Sequence, residues 1–524
     1  MAAELGMEDE KQTDARMVEL EYANTKESTS AGPIARPEGK IYLTTSAAQV
    51  DGIKFAPDGH TILVPQPSDD PNDPLNWSFF KKHMLLIISS MSSFLPEYGS
   101  ATGAVTLLSQ AQQWHLTPDH VNHSQAGNVF MLGVGGLFSV VCSAYFGRLP
   151  VLFWMLCLAF GTAIWCAAAV TFESFMAARI LNGFFSAVTQ SMTTVLINDM
   201  FFFHEKARKI GIWASFVVLA PSLGPMLGAF MLNTQRWPVP FWVLSSLTGL
   251  CLVLVIIFGE ETYYDRRLTL EEQPARRSRL LRLVGVEQFH SRRLRNTVRE
   301  TLRRPARVIM LPTVFISVIY AGITFAWQVG INTTSAIFLT PLYHFDILQV
   351  GYFYFAPAIG AILGEAAGYF AHDLIAKHYE KTHNGYFHPE ARLRGAWLAT
   401  PFLVSGLVLI GYAFQDHLHY MVVAVGWALF NMGAMISIVS INAYCLDSFP
   451  EASGEGAAWL SVGRTVGGFI ISYEQVSWAT KEGTKASFGI QAGLCTFGLV
   501  LAVFLQIYGQ RLRKWSGSLK FKTI

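Results

Sequence analysis

The sequence predicts an all-α membrane protein with twelve transmembrane helices, arranged as six helices, a basic connector and six more helices. Of the 524 residues, 52% are hydrophobic and only 15% are charged, whereas an ordinary soluble chain is about 25% charged. Twelve stretches approach the roughly 20 apolar residues that a helix needs to cross a bilayer. Lysine and arginine gather in alternate loops, as they do in proteins with many spans.

The predicted spans form two sets on either side of a polar segment that contains thirteen arginines. The first six lie near 83–107, 124–146, 150–170, 174–201, 209–232 and 238–259. The second six lie near 309–336, 347–372, 396–415, 419–446, 456–478 and 486–509. We therefore expect an N-terminal tail, a first six-helix half, a connector, a second six-helix half and a C-terminal tail, over residues 1–78, 79–259, 260–307, 308–510 and 511–524.

Basic residues set the predicted orientation. If the N-terminus is cytosolic, the inner segments hold nearly all of them, including Arg148, the cluster at 206–209 and the connector arginines. The outer loops hold only Arg236, Lys481 and Lys485. By the positive-inside rule both termini are cytosolic, and we expect a multi-pass protein of the plasma membrane.

The polar segments have simple interpretations. The first 78 residues lack a basic-then-apolar start, so we expect no cleavable signal peptide, and their composition predicts a disordered cytosolic tail. The arginine runs of the connector either bind anionic lipid headgroups or form a solvated linker that only enforces topology, which the positive-inside bias alone explains. The six cysteines lie in or beside apolar runs without a CxxC pair, which predicts small buried side chains.

One uncharged stretch, LAPSLGPMLGAF over 219–230, is unusual for a helix. Pro221 and Pro225 are one helical turn apart, and so are Gly224 and Gly228. A proline inside a soluble helix costs about 3 kcal/mol. In a membrane helix the carbonyls it leaves unpaired are satisfied by neighbouring helices. The stretch therefore predicts a bent fifth span that packs closely against another helix.

Several motifs resemble those of the major facilitator superfamily. The short loop YFGRLPVLFW matches the end of its loop motif, although Ala144 replaces the usual acidic residue. AARILNG in the fourth span matches its buried-arginine motif, and the 219–230 stretch is similar to the glycine-proline motif of proton-coupled antiporters, except at Ala229. The motif residues are Gly147, Arg148, Pro150, Arg179, Gly183, Pro221, Gly224, Pro225 and Gly228.

Four further segments resemble a fungal multidrug-type branch of this superfamily: DPNDPLNWS, GEETYYDRR, HPEARLR and DSFPEASGEGAAWLSVGRTVGGFIIS. The resemblance covers about residues 70–515. It implies two six-helix pseudo-repeats related by an axis along the membrane normal. It implies a drug:proton antiporter-like transporter.

Charges inside spans are costly, so each suggests a function. Glu97 in the first span is expected to exchange a proton for substrate, or to be a wetted carboxylate at the cavity mouth. The resemblance gives Arg179 a part in proton coupling, whereas physics alone also allows a carboxylate partner or a position near the headgroups. Glu365 in the eighth span is expected to bridge a helix seam, to titrate there, or to reach the interface. Arg464 and Glu474 are expected near opposite ends of the eleventh span.

Small residues predict close helix contacts. Gly360, Gly364 and Gly368 recur every fourth residue in the eighth span. The fold that the resemblance implies places this span against the fifth, so we expect these glycines to face Gly224 and Gly228. A second pair of the eleventh span, Gly463 and Gly467, is expected to face two glycines of the second span, Gly133 and Gly136.

Polar and aromatic residues of the seventh and tenth spans are candidate substrate contacts, because these spans line the central cavity in the implied fold. They are Trp327, Gln328, Asn332, Asn431 and Asn442. Trp327 has an alternative position in the interfacial aromatic belt. Two sequons, at Asn122 and Asn332, lie on or near the outer side, and we expect glycosylation at Asn122.

We therefore expect a secondary transporter, a proton-coupled exporter of a drug or secondary metabolite that works by alternating access. The alternatives are proton-coupled uptake of a cationic nutrient such as a polyamine, and a nutrient receptor that does not transport. No Walker motif, dinucleotide fingerprint or hydrolase motif occurs, so we expect no enzyme activity, cofactor or metal. The expected partners are a small-molecule substrate, protons and lipid, with a monomeric chain and no nucleic acid.

Overall fold

A computed structural model describes residues 33–35, 41–43, 54, 61–266, 268, 271–274, 276, 278–291, 297–382, 388–449 and 452–517. Most of the predicted disordered tail lies outside these residues. Within the tail, the strands β1 (Pro33–Ala35), β2 (Ile41–Leu43) and β3 (Thr61–Ile62) form a small antiparallel sheet in the order β1-β2-β3. Ile34 pairs with Tyr42, which pairs with Thr61. Disorder of the tail as a whole stays a prediction.

Twelve long helices confirm the predicted all-α architecture. The first half comprises α1 (Phe79–Trp114), α2 (Pro118–Phe146), α3 (Arg148–Ala168), α4 (Phe172–Met200), α5 (Phe203–Leu232) and α6 (Val239–Phe258). The second half comprises α7 (Pro312–Tyr343), α8 (Ile347–Phe353 and Phe355–Thr382), α9 (Gly395–Gln415), α10 (Tyr420–Ser448), α11 (Ser453–Glu482) and α12 (Thr484–Ser516).

Among the described helices, ten are long and apolar enough to cross a membrane by composition. The two long helices that fall short are α1 and α11, although they have 36 and 30 residues. Each carries a charge in its interior, Glu97 in α1 and Arg464 in α11. The two long helices that fall short thus each carry a charge in the interior of the bundle.

The helix bundle has two ends. The end that contains the start of α1, the α2–α3 turn, the connector and the start of α7 is called the connector face. The opposite end is called the far face. Gly147 forms the α2–α3 turn with φ of 100°, a backbone region that is unfavourable for residues with a Cβ. The motif glycine is therefore required by the turn itself.

The two halves repeat the same internal contacts. In the first half α5 packs on α1, since a Cβ added at Gly224 would lie 2.6 Å from the carbonyl oxygen of Tyr98. In the second half α11 packs on α7, since a Cβ added at Gly463 would lie 2.6 Å from the carbonyl oxygen of Val318. The pairs α2–α4 and α8–α10 correspond in the same way. These contacts are the structural form of the implied pseudo-repeat.

The glycine partners predicted from spacing are therefore wrong. Gly224 and Gly228 face α1, while Gly360 and Gly364 face Ala428 and Met432 of α10, with Gly368 farther from that helix. Gly463 and Gly467 face α7, and Gly136 faces α4. A spacing of four identifies a smooth helix face but says nothing about which helix meets it. The close-packed glycines of α5, Gly360 and Gly364 of α8, and Gly463 and Gly467 of α11 join helices within a half.

Two seams join the halves. In the first seam α2 meets α11, and Gly133 faces α11 as expected, but it meets Thr465 and Val462, with 3.1 Å from its added Cβ to the Cα of Val462, and not Gly463 or Gly467. In the second seam α5 meets the start of α8, where an added Cβ at Gly351 would lie 2.8 Å from the Cβ of Ala229. Spans five and eight do meet, as expected, but through Gly351.

The connector packs on the bundle through three short helices, Arg279–Val284, Val286–His290 and Val298–Ile309. Arg282 forms an ion pair with Glu260 at 2.7 Å, just after α6. Arg304 forms one with Glu455 of α11 at 2.8 Å. The described part of the connector is thus attached to both halves. Neither of the two predicted roles, a solvated linker or a lipid-binding segment, would require these ion pairs.

Candidate functional site

Glu97 lies in α1, directly after Pro96, which is inside the helix. Its side chain is half-buried, and the side-chain amide of Gln190 in α4 donates to its Oε1 at 3.4 Å. At 1.5 Å per residue Glu97 is about 27 Å from the start of α1. The structure therefore places a carboxylate deep in the bundle with a neutral hydrogen-bond donor beside it.

Arg464 of α11 is the positive charge that acts on Glu97 from the other half. No direct ion pair within 4.0 Å joins the two side chains. The guanidinium carbon of Arg464 lies 5.2 Å from the centre of the Phe325 ring of α7. Opposite charges in a low-dielectric interior attract each other beyond direct contact. Glu97 and Arg464 are thus opposite charges carried by the two halves.

The expected position of Arg464 near the end of its helix is wrong. It lies eleven residues after the first residue of α11, Ser453, which corresponds to about 16 Å along the helix. The only sequence signal for its role was a charge well inside an apolar run, and that signal does not identify the residue it faces. Gln190 was also missed, since an amide in a span gives no distinctive pattern.

Arg179 of α4 is almost completely buried, with 1% of its side chain exposed. Its Nη1 donates to the Gly99 carbonyl at 2.6 Å and its Nη2 to the Ser100 carbonyl at 3.0 Å. Two of the open alternatives, a carboxylate partner and a position at the headgroups, do not match this geometry. The carbonyls follow Glu97 by two and three residues, so Arg179 holds the segment of α1 that carries the carboxylate.

The glycine face of α5 supports the same segment. Gly224 packs on Tyr98 and Thr102, and Gly228 packs on Thr102 and Val105. Tyr98, Thr102 and Val105 lie in the two helical turns of α1 that follow Glu97. The antiporter-like motif is therefore joined to Glu97 through the backbone of α1. Gly183 supports Arg179 similarly, because it lies against Asn128 of α2, whose amide donates to the Arg179 carbonyl at 2.6 Å.

The candidate cavity residues of α7 and α10 have different surroundings. Trp327 is 5% exposed and belongs to the hydrophobic core, so it is not in an aromatic belt. Gln328 is buried, and its Oε1 has no hydrogen-bond partner within the described residues. Asn431 donates to the Trp427 carbonyl of its own helix at 3.4 Å, and Asn442 is half-buried. Gln328 has the polar group that best fits a substrate contact.

Two asparagines connect the halves, which their sequons did not suggest. Asn122 is 0% exposed, and its Nδ2 donates to the Ser472 carbonyl of α11 at 2.7 Å. Asn332 is also buried, and its Nδ2 donates to the Pro221 carbonyl of α5 at 2.9 Å. A glycan is attached through this same nitrogen and needs an exposed site. The structure therefore contradicts the expected glycosylation of Asn122.

Glu365 of α8 is half-buried, and its Oε2 has no hydrogen-bond partner within the described part of the chain. Its neighbours Gly364 and Gly368 lie on the α10 side of the helix. The bridging role depended on Gly360, Gly364 and Gly368 facing α5, and these glycines lie on the α10 side instead. A titrating role for Glu365 stays a prediction.

The connector face has matching ion pairs in the two halves. Arg148 lies against Asp199 at the end of α4, at 3.3 Å, and its backbone N–H donates to Glu261 at 3.0 Å. Arg392 lies against Asp447 at the end of α10, at 3.0 Å. Asp199 and Glu261 thus supply the acidic partners that the loop motif lacks at Ala144. Pro150 instead packs against Gly285 of the connector.

A polar strap formed by residues 68–76 lies on the first half at this face. Arg266 binds Asp73 with contacts of 2.8 and 3.1 Å. Burial opposes ionisation of Asp73, but the hydrogen bonds and charge of Arg266 and the backbone N–H groups of Leu75 and Ser68 outweigh it, so its pKa lies below the ordinary value. Glu260 is similar: burial is outweighed by Lys81 and Arg282, and its pKa is lowered.

A cavity of about 230 Å³ lies beside the strap, lined by side chains that include Asp70, Glu261, Arg276 and Gln288. It is at the connector face and shares no lining residue with the surroundings of Glu97. Its carboxylates and guanidinium groups belong to the network that fastens the connector. The cavity therefore gives no reason to move the predicted functional centre away from Glu97.

Comparison with known proteins places these features in a family. The family model described as Major Facilitator Superfamily matches residues 85–472. An MFS-type transporter of Schizosaccharomyces pombe is 24% identical over 551 residues, covering 91% of this chain and 92% of that protein. The cycloheximide resistance protein of Candida maltosa is 25% identical, covering 74% and 72%. An efflux pump of Floropilus chiversii is 25% identical, covering 85% and 83%.

Solved transporters share the fold. The xylose transporter XylE from E. coli, in a partially occluded inward-open conformation, aligns with a TM-score of 0.57 at 14% identity, covering 82% of this chain and 99% of that one. The human organic anion transporter MFSD10 aligns with a TM-score of 0.55 at 17% identity, covering 80% and 99%. From its twelve-helix architecture, its repeated internal contacts and the match over most of its length, the chain is a transporter that belongs to the Major Facilitator Superfamily.

Proposed function

We propose that this protein is a proton-coupled exporter of a small organic molecule. It is located in the plasma membrane, with its connector face in the cytosol. The observation that carries the proposal is the carboxylate of Glu97 deep in α1, with Gln190 donating to it, together with the charge of Arg464 inside α11 of the other half. Charges inside spans are expensive and commonly mark ion or substrate pathways. Glu97 and Arg464 lie on the two long helices that fall short of the apolar composition expected of a membrane span.

The opposite charges of Glu97 and Arg464 give protonation a mechanical effect. Ionised Glu97 attracts Arg464, and a proton on Glu97 removes that attraction. The carboxylate is therefore available either to a proton or to a polar group of the substrate. Because its partner belongs to the other half, each exchange changes the force between the halves. Rocking of the halves then exposes the site to one face at a time.

The residues around Glu97 hold its segment of α1 in place. Arg179 holds the carbonyls of Gly99 and Ser100, and Gly224 fixes the next turn of α1 against α5. The helix that carries the proton therefore has little freedom to move within its own half. A change in the charge of Glu97 therefore acts on the other half through the charge of Arg464.

Export is favoured over uptake by the glycine-proline motif of α5 and by relatives named for efflux and for cycloheximide resistance. A small amphipathic substrate fits the mixture of Glu97, Arg464 and the aromatic ring of Phe325. Gln328, with its unpaired Oε1, is a further proposed contact.

The test begins with the substrate. Metabolites that accumulate in cells lacking the protein, and decrease in the medium, supply the transported probe. In inside-out vesicles an acid interior should accelerate entry of this probe for an exporter, whereas a proton symporter requires acid outside. Acceleration by external acid would replace export with uptake, and no transport of any depleted metabolite would remove the proposal.

Glu97→Gln tests the proton site. The variant keeps the shape and the Gln190 contact but has no titratable group, so we expect probe exchange without a proton gradient to persist and gradient-driven accumulation to fall at least tenfold. Glu97→Asp is the matched control, since it keeps the carboxylate and should retain part of the coupling. If Glu97→Gln stays fully coupled from pH 5 to pH 8, Glu97 does not carry the proton.

A further inference from the structure

The second proline of α5 leaves a carbonyl without its helical partner. Proline has no N–H, so Pro225 cannot donate to the carbonyl four residues earlier, and its ring pushes that carbonyl aside. The acceptor concerned is the carbonyl of Pro221, inside a continuous helix. A buried carbonyl without a donor is costly, and this cost is higher away from water. The missing donor has to come from another part of the molecule.

Asn332 of α7 supplies that donor. Its Nδ2 lies 2.9 Å from the Pro221 oxygen, and its side chain is 8% exposed. Pro221 belongs to the first half and Asn332 to the second. The hydrogen bond that a single helix normally makes for itself is therefore made between the two halves.

Neighbouring contacts hold Asn332 in position. The hydroxyl of Tyr354 donates to the Asn332 backbone carbonyl at 2.9 Å and bonds with Ser335 at 2.7 Å. Tyr354 is fully buried at the break between the two segments of α8. Three residues earlier Gly351 packs against Ala229 of α5. The hydrogen bond thus lies in a junction of α5, α7 and α8.

This junction is in the far half of the bundle. Pro221 and Asn332 are eighteen and twenty residues beyond the first residues of α5 and α7, which corresponds to about 27 and 30 Å along helices that run from the connector face to the far face. Opening the far face separates the halves here. The Pro221 carbonyl then loses its only side-chain donor in the described structure and must be hydrated.

We propose that Asn332 is a positioning residue that holds the far face closed, and that Pro225 is retained because it keeps the Pro221 carbonyl available to the other half. The Asn332–Pro221 hydrogen bond is formed when the far face is closed. When the far face opens, the Pro221 carbonyl accepts from water instead. The inference goes beyond the proposed function, since it depends neither on the transported molecule nor on the coupling ion.

The test measures the separation of the halves at the far face. Spin labels at Gln112→Cys and Asp416→Cys, both exposed at far ends of opposite halves, report this distance by double electron–electron resonance. Cys142 and Cys157, the two partly exposed native cysteines, are first replaced by serine. Asn332→Leu keeps the side-chain shape without a donor. We expect it to raise the ratio of far-open to far-closed protein by about tenfold, the effect of one buried hydrogen bond lost with its acceptor left unpaired.

Pro225→Ala distinguishes this role from a general packing defect. The substituted alanine has an N–H that can donate to the Pro221 carbonyl, so Asn332→Leu should change the ratio by no more than about twofold in this background. A packing defect would produce the same shift in both backgrounds. Tyr354→Phe, which leaves the amide in place but loosens its backbone, should open the far face less than Asn332→Leu.

Two results would overturn the proposal: an unchanged distance distribution in Asn332→Leu, or an equal shift with and without Pro225. Thermal unfolding of each purified variant is measured alongside. If Asn332→Leu does not fold, Tyr354→Phe with and without Pro225→Ala gives the same comparison. Because the distances are measured without substrate, failure of the export proposal would leave this result unaffected.

Discussion

The two seams between the halves are built differently. The α2–α11 seam is mainly a packing surface, with His123 stacked on Tyr473 at 4.1 Å and Phe130 near Phe469 at 5.2 Å between ring centres. Its interhelical hydrogen bond ends on Ser472, whose carbonyl lies four residues before Val476 in an unbroken helix. The α5–α8 seam adjoins α7, and Asn332 of α7 satisfies an α5 carbonyl, that of Pro221, to which Pro225 of its own helix cannot donate.

This difference predicts different mechanical roles. When the α2–α11 hydrogen bond breaks, the Ser472 carbonyl can keep its helical donor, whereas the Pro221 carbonyl cannot. Aromatic stacking tolerates small rotations, because ring pairs are favourable over a range of offsets. The α2–α11 seam is therefore suited to act as a pivot. The α5–α8 seam is suited to a closed and an open state with little between them.

The largest effect is expected at Gly224, where α5 of the α5–α8 seam packs on α1 within the first half. A Cβ at Gly224 would lie 2.6 Å from the Tyr98 carbonyl, so Gly224→Ala must separate α5 from α1. We expect gradient-driven transport to fall at least tenfold, with a lower unfolding temperature. Gly211→Ala, in the same helix but facing open space, is the matched control and should retain transport. Equal activity of the two variants would show that close α1–α5 packing is not needed.

The sequence predicted the scaffold better than the contacts. Hydropathy and loop charge gave twelve helices, because the bilayer imposes length and composition on each helix separately. The partners of Gly224 and Gly364 depend on how helices are arranged in three dimensions, and a repeat of small residues does not record this. The motifs located Arg179, but only the structure showed that it binds carbonyls of α1.

The missed charge has a similar explanation. Arg464 and Glu97 are far apart in the chain and have no common motif, so neither residue could predict the other. Asn332 was noticed as a sequon and as a polar residue in a span. Two facts are needed to relate Asn332 to Pro225. The first is that Pro225 leaves the Pro221 carbonyl without its helical donor, which the sequence shows. The second is that α7 lies opposite this carbonyl, which the sequence does not show.

A smaller effect is expected from Asn122→Ala in the α2–α11 seam. The Ser472 carbonyl can still accept from the Val476 N–H, so no acceptor is left unpaired. We expect the far-open population, measured with the same spin labels, to rise by less than a third of the increase seen with Asn332→Leu. The comparison uses two asparagines that each donate to a carbonyl of the opposite half. A larger shift for Asn122→Ala would reverse the assignment of pivot and closing seam.

The smallest effect is expected at the strap, which belongs to one half and crosses neither seam. Arg266 and the backbone donors lower the pKa of Asp73 below its ordinary value of 3.8. The ionised form therefore stabilises the folded strap above that value, and this contribution is lost as the pH falls through the lower, folded-state pKa. Between pH 7 and pH 3, the protection of residues 68–76 against hydrogen exchange, taken relative to the intrinsic exchange rate at each pH, should decrease, while the far-face distances stay unchanged. Asp73→Asn should show low protection at both pH values, and an unchanged pH response in that variant would assign the effect to another carboxylate, such as Glu260.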